Sequence, residues 1–414
     1  MVKQGYKQTA VGVIPEDWDV RKIGDFTDAT AGGTPSTSHP EYWNGEILWM
    51  SSGELNKRRI HNVIGRITEL GYNNSSTHMI PENCVLIGLA GQGKTRGTVA
   101  VNYVGLCTNQ SIAAIFPSKE HNSEYLYQNL WSRYEELREL SSGDGGRGGL
   151  NLTIIKNFPC AFPKLQEQNR IAEALSDVDG MISSLEKLIA KKKAIRQGAM
   201  KELLTGKKRL PGFTGKIEYK SLSSLCEVFA DGDWIESKDQ SNDGIRLIQT
   251  GNIGSGKYLD KADKQRFISE DTFYRLKCLE IFENDVLVSR LPDPAGRACI
   301  LPSSNKRRIT AVDCTIIRFI DYNPVLFVAY SQTKEYQDKV DMAMAGSTRQ
   351  RISRKELGEI LIPVFPSKEE QNAIASILSD MDNEIEALEQ KLAKARQIKQ
   401  GMMQQLLTGK IRLV

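Results

Sequence analysis

Two stretches of the chain carry apolar side chains in alternating steps of four and three: Ile171, Leu175, Val178, Ile182, Leu185 and Ile189, then Ile374, Leu378, Met381, Ile385, Leu388 and Leu392. That rhythm is the seam of a coiled coil. It predicts a long helix from Ile171 to Leu204 and another over its counterpart, each closing at a Thr-Gly pair (Thr205-Gly206, Thr408-Gly409). There glycine can supply a left-handed cap, and the lysines that follow suit the negative end of the helix dipole. Gly198 and Gly401 are expected to interrupt the two helices near their ends. At 1.5 Å per residue each rod would be roughly 50 Å long, and two such helices in one chain can pair antiparallel.

Elsewhere the pattern changes to short β-branched and aromatic runs between Gly, Pro, Asn and Ser. They predict strands over Val85–Leu89, Gly97–Val104 and Ser111–Phe116, and again over Val286–Ser289, Arg297–Leu301 and Cys314–Phe319. Helical patterning in these regions is confined to Glu124–Leu140 and Pro324–Ala343. Each region therefore reads as a mixed α+β domain with a curved, mostly antiparallel sheet.

The two helical stretches are one sequence written twice. Phe162–Leu210 lies on Phe365–Leu413 at a constant offset of 203 without a gap, with 27 identities in 49 positions. Outside this block identity fades, but the outline persists: Trp18-Asp19-Val20 sits like Ile217-Glu218-Tyr219, and Ile47–Gly53 like Ile245–Gly251. A period this long means duplicated domains, not a solenoid of short repeats. Each copy is a variable domain followed by a nearly invariant helix.

Composition narrows the class. With 414 residues, 40% of them hydrophobic and 26% charged, the chain has material for two or three cores. No apolar run approaches the ~18 residues that would span a membrane, and no basic-then-apolar leader opens the N-terminus. Seven scattered cysteines without a C-x-x-C pair argue against a disulfide framework and a zinc site, so a reducing cytoplasm is the expected location. The net charge of +4 conceals polarity: Lys187–Lys216 holds ten basic residues against the single acidic Glu202, leaving the remainder slightly acidic. Such a stripe is either a solvated helix face or a track for a phosphate backbone.

Catalytic patterns are weak. Gly88, Gly93, Lys94 and Thr95 satisfy G-x-x-x-x-G-K-[ST], but a phosphate loop must open a helix. Here strand-forming residues follow, and the second copy (Ser289–Gly296) has lost the motif, so the segment reads as a basic hairpin tip. The four histidines, His39, His61, His78 and His121, lack metal-ligand spacing. Asn323-Pro324 reads as a helix start. No metal site and no catalytic residue is expected.

Loops rich in side chains that bond base edges and phosphates instead recur at matching places in both copies. In the first they are Ser51, Ser52, Lys57, Arg58, Arg59, Gln92, Lys94, Thr95, Arg96, Arg147 and Asn151. In the second they are Gln249, Thr250, Asn252, Arg290, Arg297, Thr348, Arg349, Gln350 and Arg351.

Taken with the entry segment Ile14-Pro15-Glu16-Asp17-Trp18, the Glu-Gln-x-x-Ile-Ala patterns at Glu167–Ala172 and Glu370–Ala375, and the Leu-Leu-Thr-Gly-Lys closures, this arrangement resembles the specificity subunit of type I restriction-modification systems over the whole chain. The resemblance implies two target-recognition domains (1–165 and 207–365) alternating with two conserved spacer helices (166–206 and 366–414) paired as an antiparallel coiled coil. Each domain would read one half of an asymmetric, gapped site on double-stranded DNA. The helices would set the spacing and dock two modification subunits, which would carry S-adenosylmethionine and methylate adenine at N6. Restriction subunits with motor and endonuclease activity would bring ATP and magnesium, and this chain itself would bind no cofactor and no membrane. Two rivals are weighed: a phosphate-loop enzyme, which needs a helix after Thr95 and a magnesium partner, and a coiled-coil scaffold without sequence-specific DNA binding, which leaves two large divergent domains unexplained.

Overall fold

The computed structural model describes residues 3–91, 95–140, 149–292, 294–344 and 351–414. Four helices organise it: α1 (Ser123–Ser132), α2 (Leu165–Leu203), α3 (Pro324–Tyr330) and α4 (Lys368–Leu406). The chain divides into two compact units, one of Met1–Glu186 with Gln390–Val414 and the other of Lys187–Glu389. The boundary falls inside both long helices, so each unit holds one variable domain, the beginning of one long helix and the end of the other.

Within each unit the two helix segments run antiparallel, and ion pairs fix their register. Unit 1 joins Asp179 to Lys399 and Glu186 to Arg396, both at 2.6 Å. Unit 2 joins Lys192 to Glu384 at 2.6 Å and Arg196 to Asp382 at 2.5 Å. The predicted seam is the inner face. Ile171, Leu175, Ile374 and Leu378 are at most 1% exposed, and Ile189 and Ile385 are buried. Val178, Ile182, Leu185, Met381, Leu388 and Leu392 are half-buried. The difference has a packing cause: the first four also meet the domain and the other helix's closure, Leu406 and Leu407 in unit 1, Leu203 and Leu204 in unit 2.

Both helices differ from expectation in two respects. They begin six residues before the first seam positions Ile171 and Ile374, at Leu165 and Lys368, and they run unbroken through Gly198 and Gly401. A helix-interior glycine costs only about 1 kcal/mol relative to alanine, and burial of Met200, Leu203 and Leu204 just beyond Gly198 outweighs it. The closures are as predicted: Gly206 and Gly409 sit at φ +70° and +68°. Conformation calls for glycine at both, and at Gly409 space does too, since a Cβ there would lie 2.5 Å from the Pro15 ring.

Each variable domain stacks two sheets. In unit 1 a five-stranded sheet runs Ala29–Ala31, Ile112–Ile115, Val85–Gly88, Val99–Asn102, Arg59–Ile60, antiparallel except for the last, parallel pair. Its side chains alternate between two cores. Val85, Ile87, Val99, Val101, Ala113 and Ile115 face Leu126 and Leu130 of α1. Leu86, Ala100, Ile112 and Ala114 face Met50, Ile60 and Leu106 on the other side. Unit 2 repeats the scheme with Cys226–Asp231, Cys314–Phe319, Val286–Ser289 and Ala298–Ile300 over a second sheet centred on Ile245–Ile248 and Arg308–Thr310. The predicted strands therefore stand, with ends trimmed by one or two residues.

Helices are not confined to the two predicted regions. Glu69–Asn73, Leu152–Lys156, Glu270–Leu276 and Arg354–Glu359 are also helical, each capped by a side-chain oxygen of Thr68, Asn151, Ser269 or Ser353. Helices of five to seven residues are too short to show a period, and the cap was their sole sequence signal. Among the described residues no helix is long and apolar enough to cross a membrane.

Candidate nucleic-acid interface

Four backbone hydrogen bonds, repeated in both units, gather the same loops at one edge of each domain. In unit 1 Gly33 N donates to Thr108 O (2.8 Å), Asn109 N to Met50 O (3.0 Å), Leu89 N to Ser111 O (2.8 Å) and Leu150 N to Leu89 O (3.0 Å). In unit 2 the equivalents are Asp233 N to Thr310 O (2.8 Å), Ala311 N to Ile248 O (2.9 Å), Arg290 N to Asp313 O (2.8 Å) and Ile352 N to Arg290 O (3.2 Å). Backbone groups leaving a strand end must find partners, and here each loop pairs with the next. The result is one continuous loop surface per domain, on sequences that otherwise share little.

Most of the predicted residues fall on this surface. Ser51 and Ser52 follow the strand ending at Met50, Thr95 and Arg96 close the hairpin after Gly88, and Asn151 caps the Leu152–Lys156 helix. In unit 2 Gln249, Thr250, Asn252, Arg290, Arg297 and Arg351 occupy the matching positions. Several of them serve the loops themselves. Asn252 is buried, accepting from Gln249 N and donating to Leu259 O. Arg297 donates to the carbonyls of Thr250, Ile253, Leu291, Pro292 and Pro294, which binds two loops together. Arg290, 5% exposed, lies between Asp231 and Asp313, and Arg351 also pairs with Asp313 (2.7 Å). Gln92, Lys94, Arg147, Thr348, Arg349 and Gln350 lie outside the described residues.

The basic run Lys57-Arg58-Arg59 is not part of the gathered edge. Lys57 pairs with Glu54, Arg58 lies over the Trp131 ring at 4.3 Å, and Arg59 bonds Glu124 (2.8 Å) and Asp179 (3.1 Å). A solvated arginine and one reaching into a carboxylate cluster look alike in sequence. This run joins domain to helices instead; burial works to lower the Arg59 pKa, but the charges around it, led by the Glu124 and Asp179 carboxylates, together outweigh it and hold the guanidinium above its ordinary range. Four residues that the sequence reading passed over do lie on the edge: Thr34, bonded to Gln110, and Trp234 and Asp313 of unit 2. The signal was available in the loops Gly32-Gly33-Thr34 and Gly232-Asp233-Trp234, which leave equivalent strands.

The join between domain and helices is also duplicated. Asn122 and Asn323 cap α1 and α3, donate from the backbone N–H to Oε1 of Gln168 and Gln371 (2.9 and 3.0 Å), and donate from the side-chain amide to Oδ1 of Asn169 and Asn372 (both 2.9 Å). Asn323-Pro324 is thus a helix start. Glu167 takes Arg412, and Glu370 takes Arg209; Arg412 also holds the Asp17 carboxyl below the usual range by hydrogen bonding it. At the third equivalent place the units differ. Lys399, 3% exposed, pairs with Asp179 and lies 3.7 Å from the Trp131 ring centre, whereas Arg196 pairs with Asp382 and bonds Gln332. Burial pushes Lys399 down to about 8.

Part of the basic stripe is thereby neutralised: Lys192, Lys193, Arg196 and Arg209 each have a carboxylate partner in unit 2. The phosphate-loop pattern lacks its helix, since the chain after Thr95 turns at Gly97 (φ +79°) into the strand Val99–Asn102. Among the described residues no group of His, Cys, Asp and Glu is placed to hold a metal ion. The cysteines are free, and burial pushes the thiols of Cys84, Cys160 and Cys299 up to about 12, which leaves them unreactive.

Comparison with known proteins agrees with the duplication. A family model described as "Type I restriction modification DNA specificity domain" matches twice, over residues 15–196 and 215–397. The chain is 26% identical to the type I restriction enzyme MjaVIII specificity subunit of Methanocaldococcus jannaschii, covering 97% of this chain and 94% of that one. It is 22% identical to the putative MjaX specificity subunit of the same organism, over 99% and 97%. In fold it is similar to the type I restriction-modification S subunit from M. genitalium (TM-score 0.62, 16% identity, 94% and 96% covered). A second solved chain, from a study of type I restriction-modification complex assembly, gives a TM-score of 0.56 at 15% identity, with 96% and 99% covered. Two tandem matches spanning most of the sequence, on two domains that repeat the same loop edge, place this chain in the family of type I restriction-modification DNA specificity subunits.

Proposed function

We propose that each unit reads one half of an asymmetric, gapped site on double-stranded DNA through its loop edge, and that the chain performs no chemistry itself. The observation that carries this reading is the fourfold backbone pattern repeated in both units: one frame is kept while the side chains mounted on it differ. Identical frames with different loops can recognise two different short sequences. The near-identical helices offer two equivalent surfaces, which suits two copies of one modification subunit. Those subunits would bring S-adenosylmethionine and methylate adenine at N6, and restriction subunits would bring ATP and magnesium for translocation and cleavage.

Net charge bears on affinity. With four of the ten basic residues of the stripe paired and the rest of the chain slightly acidic, the isolated chain should hold DNA weakly and in a salt-sensitive way, the partners supplying further cationic contacts. The test is to reconstitute the chain with its cognate modification subunit and map methylated adenines. A two-part asymmetric site with a fixed gap is expected; a contiguous palindrome, or methylation without sequence preference, would overturn the reading.

A further inference from the structure

Of the five tryptophans, Trp18 is fully buried and Trp43, Trp49 and Trp131 are half-buried, while Trp234 is 70% exposed. The backbone beneath it is fixed. Gly232 N donates to Cys314 O (2.9 Å), Asp233 N to Thr310 O (2.8 Å), Val312 N to Asp233 O (2.9 Å), and Leu279 N to the Asp233 carboxylate (3.1 Å). A Cβ on Gly232 would come within 2.3 Å of Ala311 O, so the loop lies flat on the strand end; Asp233 turns its carboxylate in to Leu279 N, and the side chain after it, Trp234, faces solvent. The indole itself has one polar contact, from Nε1 to Glu236 at 3.3 Å. A large apolar ring is thus held out in water on a rigid loop of the gathered edge.

We propose that Trp234 is a specificity-determining residue that packs its indole against bases of the half-site read by unit 2. The inference rests on the reading of unit 2 as a DNA reader. Charges nearby favour an apolar contact over a phosphate contact: Arg290 and Arg351 are answered by Asp231 and Asp313. In duplex DNA the base faces are covered by stacking, so the apolar features open to such a ring are at the base edges in the groove, the thymine methyl above all. Unit 1 carries Thr34, bonded to Gln110, at the equivalent place, so the same frame presents a polar pair to one half-site and an aromatic ring to the other.

The experiment compares the wild-type complex with complexes carrying Trp234→Ala and Trp234→Phe, each with the cognate modification subunit, in DNA titrations at several salt concentrations and in methylome maps. Trp234→Ala is expected to weaken binding about five- to hundredfold, the range for loss of a good base contact in a duplex site. The salt slope should not change, because no phosphate contact is lost. Methylation should relax at positions of the second half-site alone, and Trp234→Phe should retain most of the preference. Unaltered affinity and site choice in Trp234→Ala, beside a sequence-specific wild type, would overturn the proposal. So would weaker assembly with the modification subunit at unchanged site preference, which would make the indole a protein contact. A wild-type complex without sequence preference would overturn the underlying reading and this inference with it.

Discussion

Replacing Asp179 by Asn should cost far more stability than the equivalent change at Asp382. The Asp179 carboxylate sits 2.6 Å from Lys399, whose side chain is 4% exposed, and the Asp179 side chain is itself 13% exposed. Asp179→Asn keeps the shape but leaves a buried ammonium without its counter-charge, a loss of about 3–5 kcal/mol. In unit 2 the Asp382 side chain is 53% exposed and Arg196 keeps Gln332, so Asp382→Asn should cost less than about 1 kcal/mol. Denaturant unfolding of the full chain would measure the losses, and hydrogen exchange over residues 165–186 and 390–403 would locate them in unit 1. A pH series adds an independent check. Burial holds Lys399 at about 8 in the folded chain, below its ordinary 10.5. Between about pH 8 and 10.5 the folded chain sheds a proton that the unfolded chain keeps, so wild type should gain stability relative to Lys399→Met as pH rises through that window. Below it both states hold the proton and the burial penalty stands in full. Equal losses at Asp179 and Asp382, or a wild-type advantage that shrinks over this pH range, would refute the reasoning.

Other parts of the structure give sharper single tests. Gly409→Ala should lower stability by at least about 1 kcal/mol, because its φ is +68° and a Cβ would meet Pro15 at 2.5 Å; thermal unfolding reads this directly. Gln110→Ala should relax one position of the first half-site and leave the second unchanged, as scored by methylome mapping. Lys94→Ala should alter DNA affinity or first-half-site choice, while ATP binding by the isolated chain, measured by equilibrium dialysis, should be absent with or without the substitution.

The parts of the fold legible in sequence were those that repeat or alternate. The seam from Ile171 to Leu392 was readable because burial selects every third or fourth residue over many turns, and Val85–Gly88 or Cys314–Phe319 because fully buried strands are almost wholly apolar. Gly198 was misread because local propensity is worth less than the tertiary contacts that flank it. The candidate interface was readable by position but not by role. Internal alignment found the loops; it could not tell that Arg59 turns toward Glu124 and Asp179, that Arg297 is spent on carbonyls, or that Trp234 faces solvent while its neighbour Asp233 turns inward to Leu279 N. The Arg59 contacts, and the two by which Arg297 reaches Thr250 and Ile253, join partners more than 40 residues apart in sequence.

The most direct test of two separable readers on one frame exploits the duplication. The second variable domain can be replaced by a copy of the first, joined at the matching Leu-Leu-Thr-Gly-Lys and Phe-Pro positions, and the methylome of the reconstituted complex mapped. The account predicts that the asymmetric site becomes a gapped palindrome built from the first half-site twice in inverted orientation. Retention of the original second half-site would contradict it.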